Sequence, residues 1–242
     1  MAETTFFQDK EIQQRFPETL VIKENNEQPQ PVSQSKIIIT TAGRIQRYID
    51  NWEQLTTDSV ILDIVRGCQI DFIQKPYQLF IPKETVFSAK EQVIVEFKLA
   101  KLLKKKVITP SHHEEGLFIS KLFLTPKKDG SFRLILNLNL KQFKVFVQYQ
   151  HFKMESLNHV VHIMKPGCFM ASLDIRDAYY SVPIHEQHQK YLKFQWNGQL
   201  YQFLCMPNGL ACAPRLFTKL LKPVYCSLRE AREQSLFSVG YN

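Results

Sequence analysis

The chain has 242 residues, 44% of them hydrophobic, with 18 Phe and 9 Tyr, which supports one or two domains with real cores and argues against global disorder. A net charge of +8 and a pI near 9.2 favour an acidic partner, nucleic acid being the commonest, although an ordinary basic surface has the same balance. Cys68, Cys168, Cys205, Cys212 and Cys226 form no Cys-x-x-Cys pair, no histidines fall at zinc spacing and no apolar run reaches membrane length, so zinc modules, disulfide scaffolds and membrane spans are disfavoured.

Residues 1–36 are rich in Gln, Glu, Asn and Pro and read as a disordered polar tail. The Met1–Thr5 start has no basic segment followed by an apolar core, and the odd, scattered thiols suit a reducing compartment. The expectation is an intracellular chain that is neither secreted nor membrane-bound. No internal repeat is visible. Residues 37–87 read as a helical and extended extension. Ile45, Tyr48, Ile49 and Trp52 fall at helical spacing, and Thr57-Asp58-Ser59 caps a second helix from Val60 to Arg66, ended by Gly67. Pro76 to Pro82 reads as extended.

Ser88 to Lys106 is the clearest helix, with Ser88 and Glu91 as a capping box and Val95, Leu99, Leu102 and Leu103 on one apolar face. Lys98, Lys101, Lys104, Lys105 and Lys106 crowd its end. They match the helix dipole, and equally suit a phosphate backbone. His112-His113 reads as a solvated loop pair. Phe118–Leu124 and Phe132–Leu136 then read as a hairpin turning at Pro126-Lys127-Lys128-Asp129-Gly130. Its tip lysines and Arg133 could hold a polyphosphate, as point charges and a planar fork, although a basic hairpin tip is usually just solvated.

Phe169 to Ile184 follows the Pro166-Gly167 break. Its apolar run reads as a strand delivering Asp174, with Asp177 and two tyrosines just after. An acid at a strand end before a tight turn suits a divalent cation and a nucleotide, or else caps a following helix. Tyr191–Trp196 and Gln199–Phe203 read as a second hairpin around Asn197-Gly198. Pro207-Asn208-Gly209 reads as a turn in which Gly209 admits close approach of a ligand, and Pro214 opens a helix to about Ala231 with Leu216, Leu220, Leu221 and Val224 on its buried face. Phe237–Asn242 begins another extended segment.

This order resembles the fingers and palm of a retroelement reverse transcriptase over residues 88–242. Leu124–Arg133 resembles the fingers motif, Ser172–Ile184 the first catalytic-aspartate motif, and Met206–Thr218 the template- and nucleotide-contacting motif. The closest subgroup is the DIRS-like tyrosine-recombinase retrotransposons, which Gly43-Arg44-Ile45-Gln46 with Asn51-Trp52, His151–Leu157 and Phe217–Val224 resemble. The fold implied is α+β, a partial right-hand polymerase with fingers and an incomplete palm behind a helical N-terminal extension.

By that resemblance Asp174 is the catalytic acid and binds the Mg2+ ions of a two-metal phosphoryl transfer, with the Ile175 carbonyl helping. Lys127 and Arg133 grip the incoming triphosphate, backbone amides near Asp177 and Ala178 face its oxygens, and Tyr179 lies under the sugar and excludes a 2′-hydroxyl. Asn208 and Gly209 contact nucleotide and template. The implied partners are an RNA or DNA primer-template and dNTPs. The family more often has Gln at the Asn208 position and often Asp at Asn137.

The family also needs a Tyr-x-Asp-Asp motif. Val239-Gly240-Tyr241-Asn242 reads as its opening, and both aspartates would lie beyond Asn242. Mg2+ dehydrates reluctantly and wants several ordered ligands. The expectation is therefore a C-terminally truncated domain fragment that does not polymerise as it stands. Two alternatives are a non-catalytic nucleic-acid-binding remnant and a degenerate product unable to fold.

Overall fold

The computed structural model describes residues 2–5, 42–127, 130–138, 141–148, 150–152 and 172–230. Two compact units divide the chain, residues 1–39 with 157–176, and residues 40–156 with 177–242. In the first unit β1 (Ala2–Thr5) pairs antiparallel with a later strand, Ser172–Ile175, in the register Ala2↔Ile175, Glu3↔Asp174, Thr4↔Leu173 and Thr5↔Ser172. Residues 2–5 thus form a strand inside the segment read as a polar tail. The paired β-branched Thr4 and Thr5 suit that conformation. The remainder of that segment lies outside the described residues, as does Phe237–Asn242.

The second unit starts with a short 3-10 turn, Arg44–Tyr48, running into α1 (Ile49–Leu55). Helix α2 (Ser59–Gly67) follows, its N-terminus held by the Asp58 carboxylate accepting from Val60 N at 2.9 Å. Helix α3 (Ala89–Lys104) carries the expected box. Ser88 Oγ accepts from Glu91 N, and the Glu91 carboxylate accepts from Ser88 N at 2.9 Å. Val95, Leu99 and Leu102 are buried along one face and Leu103 is half-buried.

Helix α3 ends earlier than its sequence pattern suggests. Lys106 takes a φ of +55°, its N–H donates to Leu103 O at 2.9 Å and Val107 N–H donates to Leu102 O at 2.9 Å. Those two bonds are a Schellman cap built without glycine. The chain then enters β2 (Ile108–Ser111).

The two predicted hairpins form. β3 (Lys121–Pro126) pairs with β4 (Phe132–Asn137), and the later pair comprises Lys193–Trp196 and Gln199–Phe203. Between β4 and those strands come α4 (Lys141–Lys144), then β5, the Ser172–Ile175 strand of the first unit, then a 3-10 turn at Tyr179–Ser181 and α5 (Glu186–Gln189). The later hairpin strands are β6 and β7, and β7 also pairs with β2, which makes a three-stranded sheet in the order β2-β7-β6. Asn197 and Gly198 both have positive φ, as a two-residue hairpin turn with the right twist requires.

The segment read as extended between Pro76 and Pro82 forms no strand, and it and the residues just after it are tied down through side chains. Gln78 exchanges two bonds of 2.9 Å with the Ile119 backbone, and the Glu84 carboxylate accepts from Asn197 N and Gly198 N.

Helix α6 (Ala213–Glu230) opens with Pro214 in its first turn and buries Leu216, Phe217 and Leu220, with Leu221 and Val224 half-buried. Leu216, Phe217 and Leu220, with Leu221 packed against them, join one core with Ile64, Val65, Val95, Leu99, Leu136, Phe194, Phe203 and Met206. Alternation puts Lys193 on a polar strand face, yet its side chain is fully buried. Its ammonium donates to His112 O at 2.9 Å and pairs with Glu114 Oε1 at 2.5 Å. A charge in that position is tolerable only when paired in this way.

Candidate active site

The turn after β5 carries the densest set of predicted site residues. Asp177 has a φ of +55°, a left-handed conformation that Asp tolerates better than most side chains. Ser181 N–H donates to Asp177 O and Ala178 O at 3.2 Å each, and Ser181 Oγ donates to Ala178 O at 2.5 Å. The chain is therefore wound tightly over residues 177–181. The Asp177 carboxylate pairs with Lys105 Nζ at 2.5 Å. The Tyr179 ring meets Phe217 edge-on, with centroids 5.6 Å apart.

Tyr180 points its hydroxyl to Asn208, whose Nδ2 donates to it at 2.9 Å. Enclosure of that hydroxyl raises its pKa above the ordinary phenol value, and Cys205 and Asp177 push the same way. The Asn208 bond and the nearby Arg133 guanidinium oppose them. Arg133 stands on β4, opposite Thr125.

The two backbone segments that carry Tyr180 and Asn208 are stitched together. Met206 N–H donates to Val182 O at 2.9 Å, Ile184 N–H to Leu204 O at 3.0 Å, and Pro183 bridges Cys205. Gly209 has a φ of +104°, and a Cβ there would overlap the Leu136 carbonyl oxygen and stand 2.9 Å from Ile135 Cγ2. The close approach expected at Gly209 is made on its Cβ side by the protein itself. The atom that comes close is a backbone oxygen of β4, and the glycine locks the Pro207–Gly209 turn onto that strand. Arg133, Asp177, Ala178, Tyr179, Asn208 and Gly209 are thus gathered in the second unit.

Lys127 is exposed at the hairpin tip, its N–H donating to Ser131 O at 2.7 Å and its carbonyl accepting from Gly130 N at 3.1 Å. Lys128 and Asp129 lie outside the described residues. Asp174 and Ile175 are on β5 in the first unit, and of Asp174 only the backbone is described. Among the described residues no group of three or more His, Cys, Asp and Glu stands together to hold a metal. The Asp177 carboxylate is engaged by Lys105. The described side chains therefore do not by themselves make a magnesium site, and the expectation rests on Asp174 and the Ile175 carbonyl.

Two participants escaped the sequence reading. Lys105 was one of five lysines at a helix end, and nothing local singles it out. Tyr180 was legible in principle, because a tyrosine in an apolar run needs a partner for its hydroxyl. Among the described residues no helix is long and apolar enough to cross a membrane.

A protein-family model described as "Reverse transcriptase (RNA-dependent DNA polymerase)" matches residues 125–241. The Pol polyprotein of equine infectious anemia virus (strain Wyoming) is 27% identical over 157 residues, covering 62% of this chain and 13% of the polyprotein. The Transposon Tf2-7 polyprotein of Schizosaccharomyces pombe (strain 972 / ATCC 24843) is 19% identical over 163 residues, covering 67% of this chain and 12% of that polyprotein. The chain thus spans only about an eighth of the curated relatives it matches.

Among solved structures, the foamy viral protease-reverse transcriptase in complex with dsDNA aligns with a TM-score of 0.54 at 17% identity, over 69% of this chain and 34% of that one. The Prototype Foamy Virus Protease-Reverse Transcriptase CSH mutant aligns with a TM-score of 0.53 at 18% identity, over 80% and 28% of the two chains. The α+β fold is that of part of this polymerase architecture.

Proposed function

Taking residues 125–241 as a segment of a reverse transcriptase domain of the retroelement and retroviral kind, we propose that the chain contributes the nucleotide-binding half of an RNA-directed DNA polymerase site. The observation that carries this reading is the gathering of Arg133, the Tyr180–Asn208 pair and the 177–178 turn in one unit. In the proposed reaction a primer 3′-hydroxyl attacks the α-phosphate of a dNTP on a template, and pyrophosphate leaves. Arg133 and Lys127 hold the triphosphate, the amides of Asp177 and Ala178 face its oxygens, and Tyr179 lies beneath the sugar. Asn208, oriented by Tyr180, meets the nucleotide. Mg2+, held by Asp174 and the Ile175 carbonyl, would supply charge stabilisation.

Within these 242 residues Asp174 has no Tyr-x-Asp-Asp partner, so the stretch on its own is proposed to bind substrates without extending a primer. The basic balance supports the primer-template as partner. A DIRS-like origin stays part of the proposal, supported by the stretches at residues 43–46, 51–52, 151–157 and 217–224. An integrase encoded beside this domain, in place of a tyrosine recombinase, would overturn it. The main test is a primer-extension assay on the 242-residue chain with Mg2+ and then Mn2+. No extension is expected, together with salt-dependent primer-template binding and saturable dNTP binding. Extension that disappears with Asp174→Asn refutes the inactive reading. Primer-template binding with no dNTP binding favours the non-catalytic nucleic-acid binder.

A further inference from the structure

We propose that Lys105 is a positioning residue of the triphosphate seat, acting as the counter-ion that lets an anion approach the 177–178 turn. This rests on the reading of that turn as a nucleotide site. A polyphosphate reaching for the Asp177 and Ala178 amides arrives beside the Asp177 carboxylate. Left alone, that charge repels it. Lys105 Nζ sits 2.5 Å from Asp177 Oδ2, and the two side chains are only 33% and 21% exposed, so solvent screens the pair incompletely.

The geometry delivering Lys105 is specific. It is the C-cap of α3, its own N–H bonding back to Leu103 O and Lys101 O, and the left-handed Lys106 turns the chain immediately after it. Its carbonyl accepts from Ala42 N at 3.4 Å, and Gly43 N–H donates to Tyr180 O at 2.9 Å. The lysine and the turn it serves are thus tied to the same short strap. The backbone that carries the carboxylate is fixed, because Ser181 N–H bonds back to the Asp177 and Ala178 carbonyls around the left-handed Asp177. Lys101, another lysine of the same helix end, lies 4.3 Å over the Phe97 ring.

The test measures equilibrium binding of two probes, dTTP with Mg2+ and inorganic tripolyphosphate, to the 242-residue chain and to Lys105→Met, Asp177→Asn, the double variant and Lys105→Arg. Lys105→Met is expected to weaken both probes about tenfold, because it leaves the carboxylate uncompensated. Asp177→Asn keeps a residue that accepts the left-handed conformation and removes the repulsion, so it binds both probes more tightly. The double variant, with neither charge, returns to within about twofold of the parent, and Lys105→Arg keeps most of the affinity.

Parent-like binding by Lys105→Met overturns the inference, as does a double variant no better than Lys105→Met. Should Lys105→Met fail to fold, Asp177→Asn decides: tighter binding supports the counter-ion role, and unchanged or weaker binding overturns it. If the parent chain binds neither probe, it is the reading of the turn as a nucleotide site that falls.

Discussion

Gly209 shows how one residue's shape locks two elements together. Its φ of +104° suits glycine alone, and the space a side chain needs is filled by the Leu136 carbonyl and Ile135. Gly209→Ala must therefore strain the backbone and push the Asn208 turn off β4 together. A loss of about 2–4 kcal/mol is expected, read from urea unfolding. A loss within about 0.5 kcal/mol, the range of an ordinary surface change, would contradict this packing. At the same scale Asp177 shows an acid in a tight turn already engaged by a cation. Its charge is spent on Lys105.

At the scale of elements, the two ends of α3 make opposite predictions. The C-terminal cap places Lys106, a β-carbon-bearing residue, in the left-handed region at φ +55°. Lys106→Gly removes that strain while leaving the two cap bonds in place, and should stabilise by about 0.5–1 kcal/mol after the extra chain entropy of glycine is counted. Thermal unfolding should rise by about 1–4 °C for a chain of this size; an unchanged or lower midpoint would count against the cap.

The N-terminal box makes a pH prediction. The Ser88 hydroxyl and N–H donate to the Glu91 carboxylate and lower its pKa from the ordinary 4.5. A lowered folded pKa means that the box's contribution is present in full above 4.5 and is lost as pH falls through the folded value. The stability gap between the parent and Ser88→Ala should close on acidification, measured by denaturant unfolding across the acid range. A gap that widened there would reverse the assignment.

For the whole molecule, the thiols report the integrity of the core. Cys68, Cys205 and Cys212 are buried and Cys226 is exposed. Burial pushes the Cys68 and Cys212 thiols up to about 12 and moves Cys205 in the same direction, which leaves almost no thiolate at neutral pH. In a Cys168→Ser background, a chromogenic disulfide reagent should label one thiol quickly in the native chain and the other three only on unfolding. Rapid native labelling of more than one would mean that the 68–71 and 205–212 segments do not pack as described.

Local chemistry made much of this legible beforehand. Capping pairs, the Asn197-Gly198 turn, helix periodicity and the order of three motifs are short-range patterns, and each places its element without needing the rest of the chain. The α+β polymerase architecture was implied by the family resemblance that the three motifs carry. What depends on long-range packing was hidden. No local rule says that Lys105, among five lysines, meets a carboxylate 72 positions away. Nor does one say that Lys193 is drawn into the core beside Glu114, or that Gly209 packs its Cβ side on a strand oxygen. Those pairings are decided only when separate elements compete for the same buried space, where an unpaired charge or an extra methyl costs more than any local preference can return.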